Sequence, residues 1–375
     1  MKSIGADSDR EEFIASASAW LEANVPSRWR ENRGALSEEE STQIRREWDA
    51  CLHSGGYAGL SLPKAHGGQG LSLAEEVIFS ELSARAQAPD GLARIGRILT
   101  APTLIAHGTE EQLARYLPRI VDGDEIWCQG FSEPGAGSDL AGVSCMAKKI
   151  NGGYLVSGRK TWTSFARLAH RCILLAQSNA EAGRYKNLSM FLLDMKQPGV
   201  KIEPIKQASG LSHFAEVTFE DVFVSDFDLI GKDGDGWKIA MTLLTNERGA
   251  VEAASRYVEI RADMDLLNSS LPDHPDHQLA FKNLDTRIEM IRWQTSKVID
   301  LDEDSEAFDK ATSILKLAWS ELWQDISNLG IAIAGPDDYE HWRFQYLETR
   351  ASTIYSGSNE IQRNIISDRI LGLPR

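Results

Sequence analysis

Between Ile126 and about Ile230 this chain reads as β-strands, and on both sides of that stretch its apolar residues recur with the period of a helix. The runs CILLAQS, LSMFLLDM, VKIEPI and AEVTFEDVFV are rich in β-branched and aromatic residues. The turn signals NGG, QPG and KDGDG break them at short intervals. Several short strands at such close spacing predict a compact β-barrel or sandwich. The order of parts is therefore helices, strands, helices, which is an α+β architecture.

The flanks carry ordinary helix signatures. Phe13, Ile14, Ala17, Trp20 and Leu21 form one stripe between Glu11 and Asn24. Ser37 followed by Glu40 is a capping box, and it predicts a helix running to Ser54. After the glycine-rich connection GGYAGLSLPKAHGGQGLSLAE come helical stretches over 72–88, 91–107 and 110–120, the first capped by Ser72. Beyond Gly236 the pattern predicts helices over 236–268, 275–300, 306–334 and 339–369. The expected division is an N-terminal helical domain over 1–125, a middle β-domain over 126–235 and a C-terminal four-helix bundle over 236–375.

Charge and composition exclude some partners. A formal net charge of -15 over 375 residues argues against nucleic acid and against anionic membrane surfaces. No apolar run approaches the roughly 18 residues of a membrane span, and MKSIGADSDREEF has no signal-peptide core. Cys51, Cys128, Cys145 and Cys172 show neither CxxC pairing nor zinc spacing, so a reduced cytoplasmic protein is the simplest reading. His274 and His277, beside prolines, read as surface residues.

Three stretches carry candidate chemistry. GFSEPGAGSD (Gly130–Asp139) is a polar loop in which Ser132 and Ser138 offer hydroxyls and Glu133 and Asp139 add carboxylates. It lacks the ending of a Walker loop and is not GxGxxG, and a tight hairpin is the plain alternative. GRKTWTS (Gly158–Ser164) sets Trp162 between hydroxyl residues. That is either core packing or a flat wall suited to an aromatic ring system with polar edges, such as a flavin. In IYSGSNEIQR (Ile354–Arg363), a glycine with serines at a helix start is either a plain cap or a phosphate site.

These stretches, in this order of domains, resemble the acyl-CoA dehydrogenase family along nearly the whole chain. SLPKAHGGQGLS is similar to a further family element. The resemblance implies noncovalent FAD, an acyl-CoA substrate, an electron-transferring flavoprotein as acceptor, and a dimer or tetramer with itself or with a related subunit. It assigns Phe131 and Ser132 to the flavin edge, Trp162 and Ser164 to the flavin's other part, and Gly357, Ser358 and Glu360 to the FAD ribose and pyrophosphate. Ser138 falls at the pantetheine position. The implied reaction forms a 2,3-enoyl-CoA in fatty-acid, steroid or other lipid breakdown.

Two departures from the family pattern matter. The position after Tyr355, where many members carry the catalytic glutamate, is Ser356; its backbone N–H still suits a carbonyl clamp. Glu247 lies on the stripe Ile239, Ala240, Leu243, Leu244, Val251 and Ala254, and an inward carboxylate needs a partner or a chemical role. A subset of the family has its base there, immediately before an arginine. Glu247 is therefore the expected base, with Arg248 beside it at the substrate; a buried Glu247–Arg248 pair is the alternative. The stretches EIRADMDLLNSSLPDHPDHQLAF and ISNLGIAIAGPDDYEHW do not match the family's elements that reach a neighbouring subunit's FAD. This leaves open diverged chemistry, such as a flavin monooxygenase or a desulfinase-like enzyme, or a heteromer whose partner completes the FAD site.

Overall fold

The structure is a computed structural model that describes residues 7–32, 36–247, 250–299, 301 and 305–374. In chain order its elements are α1 (Asp7–Asn24), α2 (Ser27–Asn32), α3 (Glu38–Ser54), α4 (Leu73–Arg85), α5 (Ala101–His107) and α6 (Glu110–Asp122). Eight strands follow: β1 (Trp127–Gly130), β2 (Met146–Ile150), β3 (Gly153–Ser164), β4 (Arg171–Gln177), β5 (Leu188–Asp194), β6 (Val200–Ile205), β7 (Phe214–Ser225) and β8 (Leu229–Ile230). The remaining helices are α7 (Gly236–Glu247), α8 (Ala250–Ser269), α9 (Pro275–Ile299), α10 (Glu306–Ile333), α11 (Tyr339–Glu348) and α12 (Asn359–Ile365).

Several expectations need adjustment. The helix predicted over 339–369 is broken, because Ser356 and Gly357 have φ of 55° and 82° and no right-handed helix passes through two such residues. The stretch 91–107 holds a five-residue π-helical segment, Gly96–Thr100, before α5. Pro102 there has no amide hydrogen to give to a carbonyl in the preceding turn. The short α2 has too few residues to show an apolar period and escaped the pattern. The helix expected over 236–268 appears as α7 and α8, and residues 248–249 between them lie outside the described residues. The capping box at Ser37 is present: Glu40 N–H donates to Ser37 Oγ and Ser37 N–H to the Glu40 carboxylate. Among the described residues no helix is long and apolar enough to cross a membrane.

The chain forms two compact units. One holds residues 23–72 and 88–247; the other holds 1–22, 73–87 and 248–375. In the first, the strands make one sheet of order β6-β7-β3-β2-β4-β5-β8, with β1 parallel beside β4. In that order β3 and β5 are three strand spacings apart, roughly 14 Å if the sheet were flat. The rings of Tyr154 on β3 and Phe191 on β5 nevertheless meet at 4.9 Å. The sheet therefore curls around a common core that includes Cys128, Val156, Leu174, Phe191, Val217 and Phe219.

Cys128 on β1 faces that core, so strand alternation turns Trp127 and Gln129 to the other side. Gly130 also lies on the core side, where an added Cβ would stand 2.8 Å from Cys172 Sγ and 2.9 Å from Leu174 Cδ1. Gly130→Ala is accordingly expected to lower the unfolding free energy by about 1–3 kcal/mol through overpacking, read as a shift of the urea midpoint.

The second unit is a helical core. Its buried residues include Ile260 and Met264 of α8, Ile288 and Ile291 of α9, Leu315, Trp319, Leu322 and Ile326 of α10, and Val77 of α4. The i, i+4, i+7 spacing on α10 is the apolar stripe of a bundle helix.

Candidate active site

The loop that leaves β1 is pinned from beneath. The Glu133 side chain is buried and carries four hydrogen bonds. Lys160 Nζ donates to Oε1 at 2.7 Å and Cys145 N–H donates to the same oxygen at 2.9 Å. Ser144 donates to Oε2 through N–H and hydroxyl, both at 2.7 Å. Lys160, on β3 and wholly shielded from solvent, also donates to the Phe131 carbonyl at 3.0 Å. Burial pushes the Glu133 carboxyl up, but the ammonium and the N–H donors outweigh it and hold it below the usual range. The carboxylate that Glu133 adds to this polar loop therefore faces inward, and its acceptor capacity is spent inside the protein. Asp139 is paired with Arg184. Ser138 beside it is exposed.

The same loop is stitched to β3, because Thr161 N–H donates to the Ser132 carbonyl at 2.8 Å. This bond sets Phe131 and Ser132 beside Trp162. The pairing of β3 with β7 slips between Lys160 and Thr163, and in that bulge Trp162 has φ of 58°. Its indole is 57% exposed and has the edge of Phe214 6.0 Å away. A large exposed aromatic held in strained backbone is a candidate ligand wall. Ser164 is half-buried next to it, in register with Phe214.

Glu247 ends α7. Ile239, Ala240 and Leu243 form that helix's buried stripe. His107 Nε2 meets Thr242 Oγ1 at 2.8 Å and ties α5 to α7. Burial, with help from the Lys238 ammonium, lowers the pKa of that imidazole, so it is neutral at ordinary pH. The Glu247 carboxyl, expected to point into the core, is half-buried, and its Oε2 stands 3.5 Å from the Nε2 of Gln129. Gln129 lies on the outward side of β1, three residues before Ser132. Arg248, and with it the proposed Glu247–Arg248 pair, falls outside the described residues.

In the helical unit, Ser356, Gly357, Ser358 and Glu360 form one turn at the start of α12. Ser356, Gly357 and Ser358 are half-buried. The Ser358 hydroxyl caps α12 by accepting from Ile361 N–H at 3.4 Å. Gln362 Nε2 donates to the carbonyls of Ser356 and Gly357 at 3.2 and 3.3 Å. Glu360 is exposed; backbone N–H at the helix start and then the Ser358 hydroxyl hold its carboxyl below the usual range.

The structure thus groups Phe131, Ser132, Trp162 and Ser164, and sets Glu247 beside Gln129, three residues before Ser132; Ser356 to Glu360 lie together in the other unit. Two contributors were not singled out from sequence. Lys160 had one visible signal, a lysine inside a strand that must be buried and must therefore find an anion. Gln129 was visible only as the residue that alternation sets opposite Cys128.

Three family profiles match in chain order: "Acyl-CoA dehydrogenase, N-terminal domain" over residues 7–124, the middle domain over 128–222 and the C-terminal domain over 234–371. The acyl-CoA dehydrogenase IpdE1 of Mycobacterium tuberculosis is 38% identical over 381 residues, covering 98% of each chain. Among solved structures, the Tcur3481-Tcur3483 steroid ACAD superposes with a TM-score of 0.84 at 25% identity over 97% of both chains. The ChsE4-ChsE5 complex from Mycobacterium tuberculosis does so with a TM-score of 0.82 at 25% identity over 100% of both chains. Sequence along the full length and fold therefore agree, and the chain belongs to the acyl-CoA dehydrogenase family of flavoprotein oxidoreductases.

Proposed function

We propose that this protein oxidises an acyl-CoA thioester to its 2,3-enoyl-CoA, with Glu247 as the base that takes the Cα proton. The single observation behind this reading is the Glu247 carboxylate beside Gln129, on the strand that leads directly into the Phe131–Ser132 loop. The family binds FAD, and the residues here suit it. The exposed Trp162 indole offers a flat face, and Ser132 and Ser164 offer hydroxyls to polar ring edges. Bound FAD supplies the acceptor for the hydride leaving Cβ.

The chain's own residues do the rest. Gln129 donates to the Glu247 carboxylate and orients it for proton abstraction. Its amide can turn and accept from the same group once it is protonated. The backbone N–H of Ser356 serves the thioester carbonyl, a role that does not require the glutamate common at that position. Gly357, Ser358 and Glu360 are assigned to the FAD ribose and pyrophosphate, and Ser138 to the pantetheine arm. Arg248 is assigned to the substrate.

The test is the absorption spectrum of the purified protein followed by anaerobic titration with a panel of acyl-CoAs. Bleaching of a yellow protein by one of them is the expected result. Oxygen consumption without anaerobic bleaching would favour monooxygenase or desulfinase-like chemistry instead. Because relatives include a steroid ACAD, the panel should contain ring-bearing acyl groups. Gln129→Met is expected to slow substrate-driven bleaching about threefold, the equivalent of one weak hydrogen bond of roughly 0.5–1 kcal/mol, with flavin content unchanged.

A second reading concerns assembly. The neighbouring structures carry the names of two subunits, ChsE4-ChsE5 and Tcur3481-Tcur3483, and the chain lacks the family's usual cross-subunit stretches. We infer that it assembles with a related chain. Flavin content that is low alone and restored by coexpression with such a chain supports this; full flavin in the lone chain refutes it. An electron-transferring flavoprotein is the proposed acceptor, in the cytoplasm.

A further inference from the structure

Helix α10 carries a polar stripe that its apolar packing does not require. Lys316, Ser320, Gln324 and Ser327 recur at four, four and three residues, on one face beside the core residues Leu315, Trp319, Leu322 and Ile326. Lys316 and Ser320 are fully buried. A buried cation and a row of buried hydroxyl and amide groups cost stability unless each finds a partner.

All four residues reach the connection between α11 and α12. Lys316 Nζ and Ser320 Oγ both donate to Asn359 Oδ1, at 2.8 and 3.0 Å. Gln324 Nε2 donates to the Thr349 carbonyl and to Thr353 Oγ1, each at 3.0 Å. Ser327 Oγ meets Thr349 Oγ1 at 2.9 Å. Asn359 N–H donates to the Thr353 carbonyl at 2.9 Å and closes the base of a small loop. The tip of that loop is the Ser356–Gly357 turn, both of whose carbonyls are taken by the buried Gln362.

These tethers grip the loop at its base and through its carbonyls, and Ser356 is kept in a left-handed conformation that a serine does not prefer. We propose that Lys316 and Asn359 are positioning residues that clamp the loop so that the Ser356 N–H is held in place for a thioester carbonyl. This rests on the dehydrogenase reading given above. The Lys316 charge also extends to the start of α12, where it contributes to the low pKa of Glu360.

The experiment has two arms in Lys316→Met and Asn359→Ala, with Ser320→Ala as a milder third variant should the first two not fold. The first arm is amide hydrogen exchange of the holoprotein. Exchange over 353–359 should quicken roughly tenfold, the opening equivalent of one lost charge-assisted hydrogen bond, while α8 and the apolar face of α10 stay protected. Unchanged exchange in that loop, or equal loosening throughout α8 and α10, overturns the assignment.

The second arm uses 4-dimethylaminocinnamoyl-CoA, whose absorption moves to the red when its carbonyl is polarised. The wild type should shift it; the variants, saturated with added FAD because Gly357 and Ser358 lie in the same loop, should bind it with a smaller shift. A shift preserved in variants with a loosened loop overturns the assignment. Local loosening in the first arm with no red shift even in the wild type sinks the carbonyl-clamp reading and leaves the anchoring role intact.

Discussion

Glu247→Gln is expected to slow substrate-driven flavin bleaching by about three to four orders of magnitude, while the protein remains yellow and folded. A glutamine keeps the size and the hydrogen-bonding reach to Gln129 but cannot take a proton, so the loss isolates general-base chemistry, which contributes up to roughly 10⁴-fold. Two measurements check it. Anaerobic stopped-flow absorbance reads the flavin step. Exchange of the substrate's α-hydrogen with deuterated water reads proton removal separately. If the variant bleaches at near-normal rate, Glu247 is not the base. If bleaching is lost but α-exchange persists, another residue removes the proton.

The second large effect concerns the loop and not the chemistry. Lys160→Met leaves the Glu133 carboxylate buried with its cation gone, a change that costs about 3–5 kcal/mol when one member of a buried pair is removed. The double variant Lys160→Met, Glu133→Gln removes both charges and should recover part of that loss. Equilibrium urea unfolding measures both. A pH series adds an independent check. The folded Glu133 pKa is below its unfolded value of about 4.3, so its stabilisation is complete above that value and disappears as pH falls through the depressed folded value. The wild type should lose stability over that acid window, and the double variant should lose less of it. A single variant as stable as wild type would show that the pair does not hold the loop.

Much of this architecture can be read locally. The change of period near Ile126 and Ile230 is a property of neighbouring residues, and the sheet from β1 to β8 lies within it. The Ser37–Glu40 capping box needs only four residues to be recognised, and it is formed as expected. The break at Ser356–Gly357 was harder, because the amphipathic pattern continues on both sides of it. Only the glycine and its serine neighbours hinted that the backbone changes hand there.

The candidate site divides along the same line. Residue types and spacing by themselves determined that a glycine-rich polar loop, a strand-borne tryptophan and a serine-glycine turn exist, and that Ser356 cannot supply a carboxylate. They also determined the family, because three such stretches in one order are specific. Tertiary structure alone decided where each carboxylate stands and what it pairs with. Glu133 is consumed because β3 brings Lys160 under the loop, and Glu247 finds Gln129 because β1 presents that amide to the end of α7. The physical reason is that burial and pairing of a charge depend on partners distant in sequence, whereas helix, strand and turn preferences depend on neighbours.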